Sequence, residues 1–237
     1  MAQGNKLNAA AVRREVHALR DPERAVFLQR FFRTGPGEYA EGDRMLGLTV
    51  PAQRVVARAF RALPLEEIAK LLASPFHEHR LIALLILVDR HTRGDEVEQL
   101  LLHRFYLTHL DAVNNWDLVD TSAAALVGEH VSEKLLQKLL ASPNLWHRRV
   151  AIVCTFAELR AGRVETTFRV AERLLGDKHD LIHKAVGWLL REAGKRSPEA
   201  LLSFLRTHYD RVPRTTLRYA IERLDVVDRK LWLGGPQ

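Results

Sequence analysis

The chain has 237 residues, 47% of them hydrophobic and 27% charged, enough to bury the core of one large domain or two small ones. Lys and Arg number 36 against 29 Asp and Glu, for a formal net charge of +7, and the arginines are interleaved with Leu, Val and Ala. That pattern excludes a disordered polycation and makes a polyanion, nucleic acid above all, the first expected partner. The single cysteine, Cys154, excludes an internal disulfide framework, and its apolar neighbours predict a buried, inert thiol. No signal-peptide core and no run of ~20 apolar residues is present, so the expected location is the cytoplasm, with no membrane partner.

Strand signals are nearly absent, and helical periodicity runs along the chain. An apolar stripe at i, i+3, i+4, i+7 predicts helices over residues 9–20, 51–63, 64–74, 80–91, 96–107, 132–142, 148–160, 165–177, 181–195, 197–208 and 214–224. The Gly/Pro-rich segment 33–54 reads as an ordered loop beside the first of these. Ser132 with Glu133, and Ser197-Pro198-Glu199, are predicted N-caps. Gly94, Gly128, Gly162, Gly176 and Gly194 fall near helix ends, where a left-handed residue is wanted.

Three stretches resemble one another: "LLASPFHEHRLIALLILVDR" from Leu71, "LLASPNLWHRRVAIVCTFAELR" from Leu139 and "LLGDKHDLIHKAVGWLLREAGK" from Leu174. Their starts lie 68 and 35 residues apart, a unit of roughly 34–35 residues with a diverged copy over 105–130. A repeated helix pair of that length predicts an all-α fold, an α-solenoid in which each pair buries its face on its neighbours. Residues 1–237 then form a single domain, with one helix of each pair on a curved, concave wall.

The second helix of each unit carries the unusual residues. "NNWDLVDTSAAAL" (114–126) places Trp116 and Asp120 four apart on one helical side, with Asp117 between them. Asp117 reads as a first-turn acid favoured by the helix dipole. The following units carry Arg148 and Arg149, then Lys184 and Trp188. Core positions of stacked helices normally take Leu, Val or Ala, and two indoles there bring N–H groups that need partners. Arg148, Lys184, Arg54, Arg214 and Arg218 are expected phosphate contacts, against the plainer reading that long Arg side chains cover solvent faces. "HEHR" (77–80) and the pair His179 and His183 have metal-like spacing, but neither brings a third ligand and the first lacks the HExxH pattern. No metal site is expected, and no Gly-rich phosphate loop is present.

Several spaced motifs resemble the AlkD-type DNA alkylation-repair glycosylases, a family of HEAT-like repeat proteins. "FFRTGPGEYAEGDRMLGLTVPAQR" (31–54) is similar to the family's N-terminal loop and following helix, "NNWDLVD" (114–120) to its catalytic segment, "NLWHRRVAI" (144–152) to its arginine segment, "KAVGWLLRE" (184–192) to its second tryptophan segment and "RTTLRYAIERL" (214–224) to its closing helix. Asn115 stands before Trp116 where some members have another aromatic. The resemblance implies HEAT-like repeats and hydrolysis of the N-glycosidic bond of cationic alkylpurines, 3-methyladenine and 7-methylguanine among them, in double-stranded DNA. It implies Asp120, Trp116 and Trp188 as catalytic and Arg149 as DNA-binding, in a monomer that needs no cofactor and works on an open surface. A non-catalytic DNA-binding solenoid and a protein-binding scaffold are the competing classes.

Overall fold

A computed structural model describes residues 7–235. It is all-α, as the periodicity predicts, with no β-strand among the described residues and one isolated parallel bridge, Arg44 to Phe76. No helix among the described residues is long and apolar enough to cross a membrane. The chain divides into two compact units, Met1–Ser122 and Ala123–Gln237.

The first unit holds α1 (Ala9–Ala18), α2 (Pro22–Phe31), α3 (Val50–Ala59), α4 (Leu65–Leu72), α5 (His77–Arg93), α6 (Glu96–Thr108), a 3-10 turn at Leu110–Ala112, and the start of α7 (Trp116–Leu126). Side-chain caps set several starts: Asn8, Asp21, Thr49 and Asp95 each accept from a backbone N–H three residues on. Helix α5 is the centre of this unit. Residues Leu81–Leu87 are all buried, because α1, α3, α4 and α6 pack around it. A helix apolar on every side belongs in a core, not on a surface.

Of the segment 33–54 expected as a loop, residues 33–49 are one and 50–54 already belong to α3; the last residues of the loop are clamped. Arg44 bonds through its N–H to Pro75 and through its carbonyl to His77. Leu46 and Gly47 donate their N–H groups to the buried carboxylate of Glu78. Gly47 sits at φ +90, and a Cβ there would lie 2.0 Å from the carbonyl oxygen of Asp21, so only glycine lets the loop meet the start of α2.

The second unit holds α8 (Glu133–Leu140), α9 (Leu145–Val153), α10 (Phe156–Arg160), α11 (Glu165–Leu174), α12 (Asp180–Gly194), α13 (Pro198–His208), a 3-10 turn at Tyr209–Arg211, α14 (Arg214–Ala220) and α15 (Val226–Gly234). Ser132 caps α8 through Leu135, whereas Ser197 stands before Pro198 without a side-chain cap bond. Helix α12 is the counterpart of α5, with α9, α11, α13 and α14 against it. Gly187 makes the tightest of these contacts possible: a Cβ there would lie 2.5 Å from Cβ of Tyr219 and 2.6 Å from the carbonyl of Thr216 on α14.

Three local expectations need correction. The helix predicted over 148–160 is two, α9 and α10, broken where the Thr155 hydroxyl donates to the Ile152 carbonyl and so competes with the helical ladder. The helix predicted over 214–224 ends at Ala220. Of the five glycines expected in left-handed backbone, only Gly162 adopts it; Gly128 instead allows the Cys154 carbonyl to approach, which lies 2.3 Å from where its Cβ would stand. Cys154 itself is fully buried, and burial pushes its thiol up to about 12.

Candidate active site

In the first unit the site grows from the start of α7. Asn115, fully buried, accepts from the Trp116 N–H at 2.8 Å and reaches Asp43 of the loop at 3.4 Å with its amide. The helix therefore begins at Trp116, and Asp120 follows one turn later on the same side. Both are half-buried. The indole of Trp116 stacks on Phe32 at 5.4 Å and meets the edge of Phe31 at 6.0 Å, and Phe31 in turn stacks on Phe27. Phe27 and Phe31 are 62% and 53% exposed, so an aromatic ribbon runs from α2 to the indole and stays open to solvent.

Behind the ribbon lies a buried ionic network. His77 bonds Asp117 through Nε2 at 2.8 Å and Asp43 through Nδ1 at 3.3 Å, and Arg80 reaches the other oxygen of Asp43 at 2.6 Å. Burial opposes a charge on His77, yet Asp117 beside it and the bond to Asp43 raise its pKa to about 9, against the smaller opposing effect of Arg80. Asp43 is likewise opposed by burial, and the bonds and charges of His77 and Arg80 hold its carboxyl below the usual range. His79 is pushed down to about 4 by burial first, then by His17, Arg13 and Arg80. It accordingly stands neutral beside the Ser74 hydroxyl, with its Nδ1 2.8 Å away. Each residue of "HEHR" is thus engaged within the protein: His77 with Asp117 and Asp43, Glu78 with Leu46 and Gly47, His79 with Ser74, and Arg80 with Ser74 and Asp43. Asp117, read from the sequence as a dipole acid, is a member of this network.

In the second unit Arg149 is buried on α9, and its guanidinium donates to the Leu181 carbonyl at the start of α12. Lys184 and Trp188 follow on one face of α12, four residues apart. Trp188 is half-buried with its ring 5.7 Å from Phe156, and Lys184 pairs with Asp180 at 2.8 Å. Arg148 is engaged differently: it pairs with Asp177 at 2.6 Å and donates to the carbonyls of Ser142 and Pro143. The bonds and charge of Arg148 help hold Asp177 below the usual carboxylate range against its burial. Arg214 donates to the Leu233 carbonyl, while Arg218 on α14 and Arg54 on α3 are exposed.

The family model described as "DNA alkylation repair enzyme" matches residues 12–224. The chain belongs to that family. Its fold is also that of a solved structure, a predicted DNA alkylation repair enzyme from Enterococcus faecalis, with a TM-score of 0.67 and 16% identity over 87% of this chain and 97% of that one. A comparison with curated proteins gives no significant match. Membership in a DNA alkylation repair family agrees with the all-helical fold and with the excess of Lys and Arg over Asp and Glu.

From the sequence, His77 was weighed only as part of the metal-like "HEHR", and Asp43, Phe31 and Phe32 stood only within the loop segment 31–54; none was given a place in the site. Two signals were there: four consecutive polar residues directly before the unbroken apolar run Leu81–Leu87, and the Phe-Phe pair just before the loop. Each was ambiguous until the fold placed the loop on α5.

Proposed function

We propose that the protein is an alkylpurine DNA glycosylase of the AlkD type, hydrolysing the N-glycosidic bond of cationic N3- and N7-alkylpurines such as 3-methyladenine and 7-methylguanine in duplex DNA. The observation that carries the reading is the pair on α7: a solvent-accessible indole braced by Phe32, with a carboxylate one helical turn away. An alkylated purine is already positive and leaves as a neutral base, so the reaction needs little acid catalysis and no metal or cofactor. The barrier is the cationic character that develops on the sugar. A carboxylate about 4 Å away at an effective dielectric near 20 contributes on the order of 4 kcal/mol, roughly three decades in rate. Asp120 is assigned that role and the positioning of the attacking water. Trp116 and Trp188 are assigned the faces against which the deoxyribose gains from the ring quadrupoles.

Arg149 is assigned a phosphate contact, with Lys184, Arg54, Arg214 and Arg218 as further backbone contacts. Arg148 is the weakest of the DNA-binding assignments, since its guanidinium is already committed to Asp177 and two carbonyls. The proposal draws on residues of both units, so it includes the single domain expected over residues 1–237, working as a monomer on chromosomal DNA in the cytoplasm. The test is incubation of wild type and Asp120→Asn with methylated duplex DNA, followed by chromatography of the freed bases. Release by wild type and its collapse in the variant is the expected result. No release by wild type, with salt-sensitive DNA binding intact, overturns the enzyme and leaves a DNA-binding protein.

A further inference from the structure

The Asp43–His77–Asp117 chain lies directly behind the first turn of α7, and its geometry links it to the reactive side chains in two ways. One is polar: Asp117 follows Trp116 in the chain, and His77 holds its Oδ2 at 2.8 Å while its buried Oδ1 meets no protein donor. The other is aromatic: the ring of His77 lies 4.8 Å from Phe32, and Phe32 carries the indole of Trp116 on its other contact at 5.4 Å. His77 is itself fixed from the opposite side. Asp43 takes its Nδ1, Arg80 holds Asp43, and the His77 N–H bonds to the Arg44 carbonyl. A dipole-favoured acid at a helix start needs none of this, and neither does a plain core.

Resting on the glycosylase reading above, we propose that His77 is a positioning residue for base release: as an imidazolium between Asp43 and Asp117, it sets the first turn of α7 and, through Phe32, the plane of Trp116. The charged groups that face it are Asp43 from the loop, Asp117 from α7 and Arg80 from its own helix. The charge is what the position needs. A neutral ring would leave Asp117 half-buried with one oxygen unpartnered and the other bonded only weakly, and the carboxylate would turn toward water, drawing Trp116 and Asp120 with it. A displacement near 1 Å at a reacting group costs on the order of a hundredfold in rate.

The experiment follows single-turnover release of 7-methylguanine from methylated duplex between pH 7 and 10. It compares wild type, His77→Gln and the doubly neutral His77→Gln/Asp117→Asn, with DNA affinity measured alongside. Expected are a release rate roughly 30-fold lower in His77→Gln, with affinity changed by no more than about twofold, and recovery of most of that loss in the double variant, which removes the stranded carboxylate. The wild-type rate falls as pH rises through about 9, where His77 loses its proton, and the double variant shows no such step. Release by His77→Gln at the wild-type rate and with the wild-type pH profile overturns the positioning role and leaves the glycosylase standing. If His77→Gln does not fold, identical profiles of wild type and the double variant through pH 9 overturn it as well. No release by wild type at any pH overturns the glycosylase, and this role with it.

Discussion

Residues 74–81 of the first unit and 142–149 of the second are written on one frame: Ser-Pro, three residues, then His-Arg in both. Both fold alike. Ser74 and Ser142 face the Nδ1 of His79 and His147, and Arg80 and Arg148 return to the carbonyls of Ser74 and Ser142. A third copy keeps the device with different atoms, since His183 bonds the Asp177 carbonyl through Nε2. The arginine six residues after the serine is therefore a brace for the turn, repeated because the repeat needs it. The difference lies one residue further on. Leu81 is core, whereas the same position holds Arg149 in the next copy and Lys184 in the third. A buried arginine where the repeat wants leucine breaks the local rule, and such breaks mark function more often than error. The two turns also differ in setting: both carboxylates are buried, but the side chain of Arg80 is buried with Asp43 whereas that of Arg148 is partly exposed above Asp177.

The largest consequence concerns those two braces. Arg80→Met strands the carboxylate of Asp43 in the interior and is expected to cost about 3–5 kcal/mol in urea unfolding. Arg148→Met vacates a partly exposed position through which water can reach Asp177, and is expected to cost about 2 kcal/mol. Equal losses would mean the burial of the first turn is energetically idle. Next comes pH. His77, raised from 6.5 to about 9, contributes stability that is complete below pH 6.5 and is lost as pH climbs through about 9, on the order of 3 kcal/mol in all. His79, lowered to about 4, works the other way: its contribution is present above pH 6.5 and lost as pH falls toward 4. Unfolding free energy measured against pH should therefore peak near neutrality. His77→Gln should flatten the alkaline limb and His79→Gln the acid one.

These residues also mark how far sequence reading reached. The all-α class, most helices and the repeat were legible because each stripe of Leu, Val and Ala faces a core. Helix α2 was not, because none of its residues is buried and its start is announced only by Asp21-Pro22-Glu23. Helix α15 buries only Trp232 and escaped for the same reason. On the candidate site, Trp116 and Asp120 stood out as a pair at helical spacing. The network behind them did not, because it joins residues 43, 77 and 117 across a loop and two helices, and no local pattern encodes a contact of that range. Nor did the residue pattern itself separate Arg148 from Arg149, which only the resemblance set apart; the comparison with Arg80 and Leu81 supplies the physical reason.

The smallest expected effect tests that distinction on DNA. Arg218→Ala, which removes an exposed cation, should lower the slope of log affinity against log salt by about 0.9. Arg148→Ala should leave the slope nearly unchanged, because its guanidinium serves Asp177 and the turn. The most direct measurement sets the two acids of α7 against each other: single-turnover base release from methylated duplex by Asp120→Asn and Asp117→Asn. The expected result is a loss of roughly a thousandfold for Asp120→Asn with DNA binding retained, and of less than about tenfold for Asp117→Asn, whose amide oxygen still accepts from His77. Equal losses, or the larger loss at Asp117, would contradict Asp120 as the carboxylate that faces the developing sugar cation.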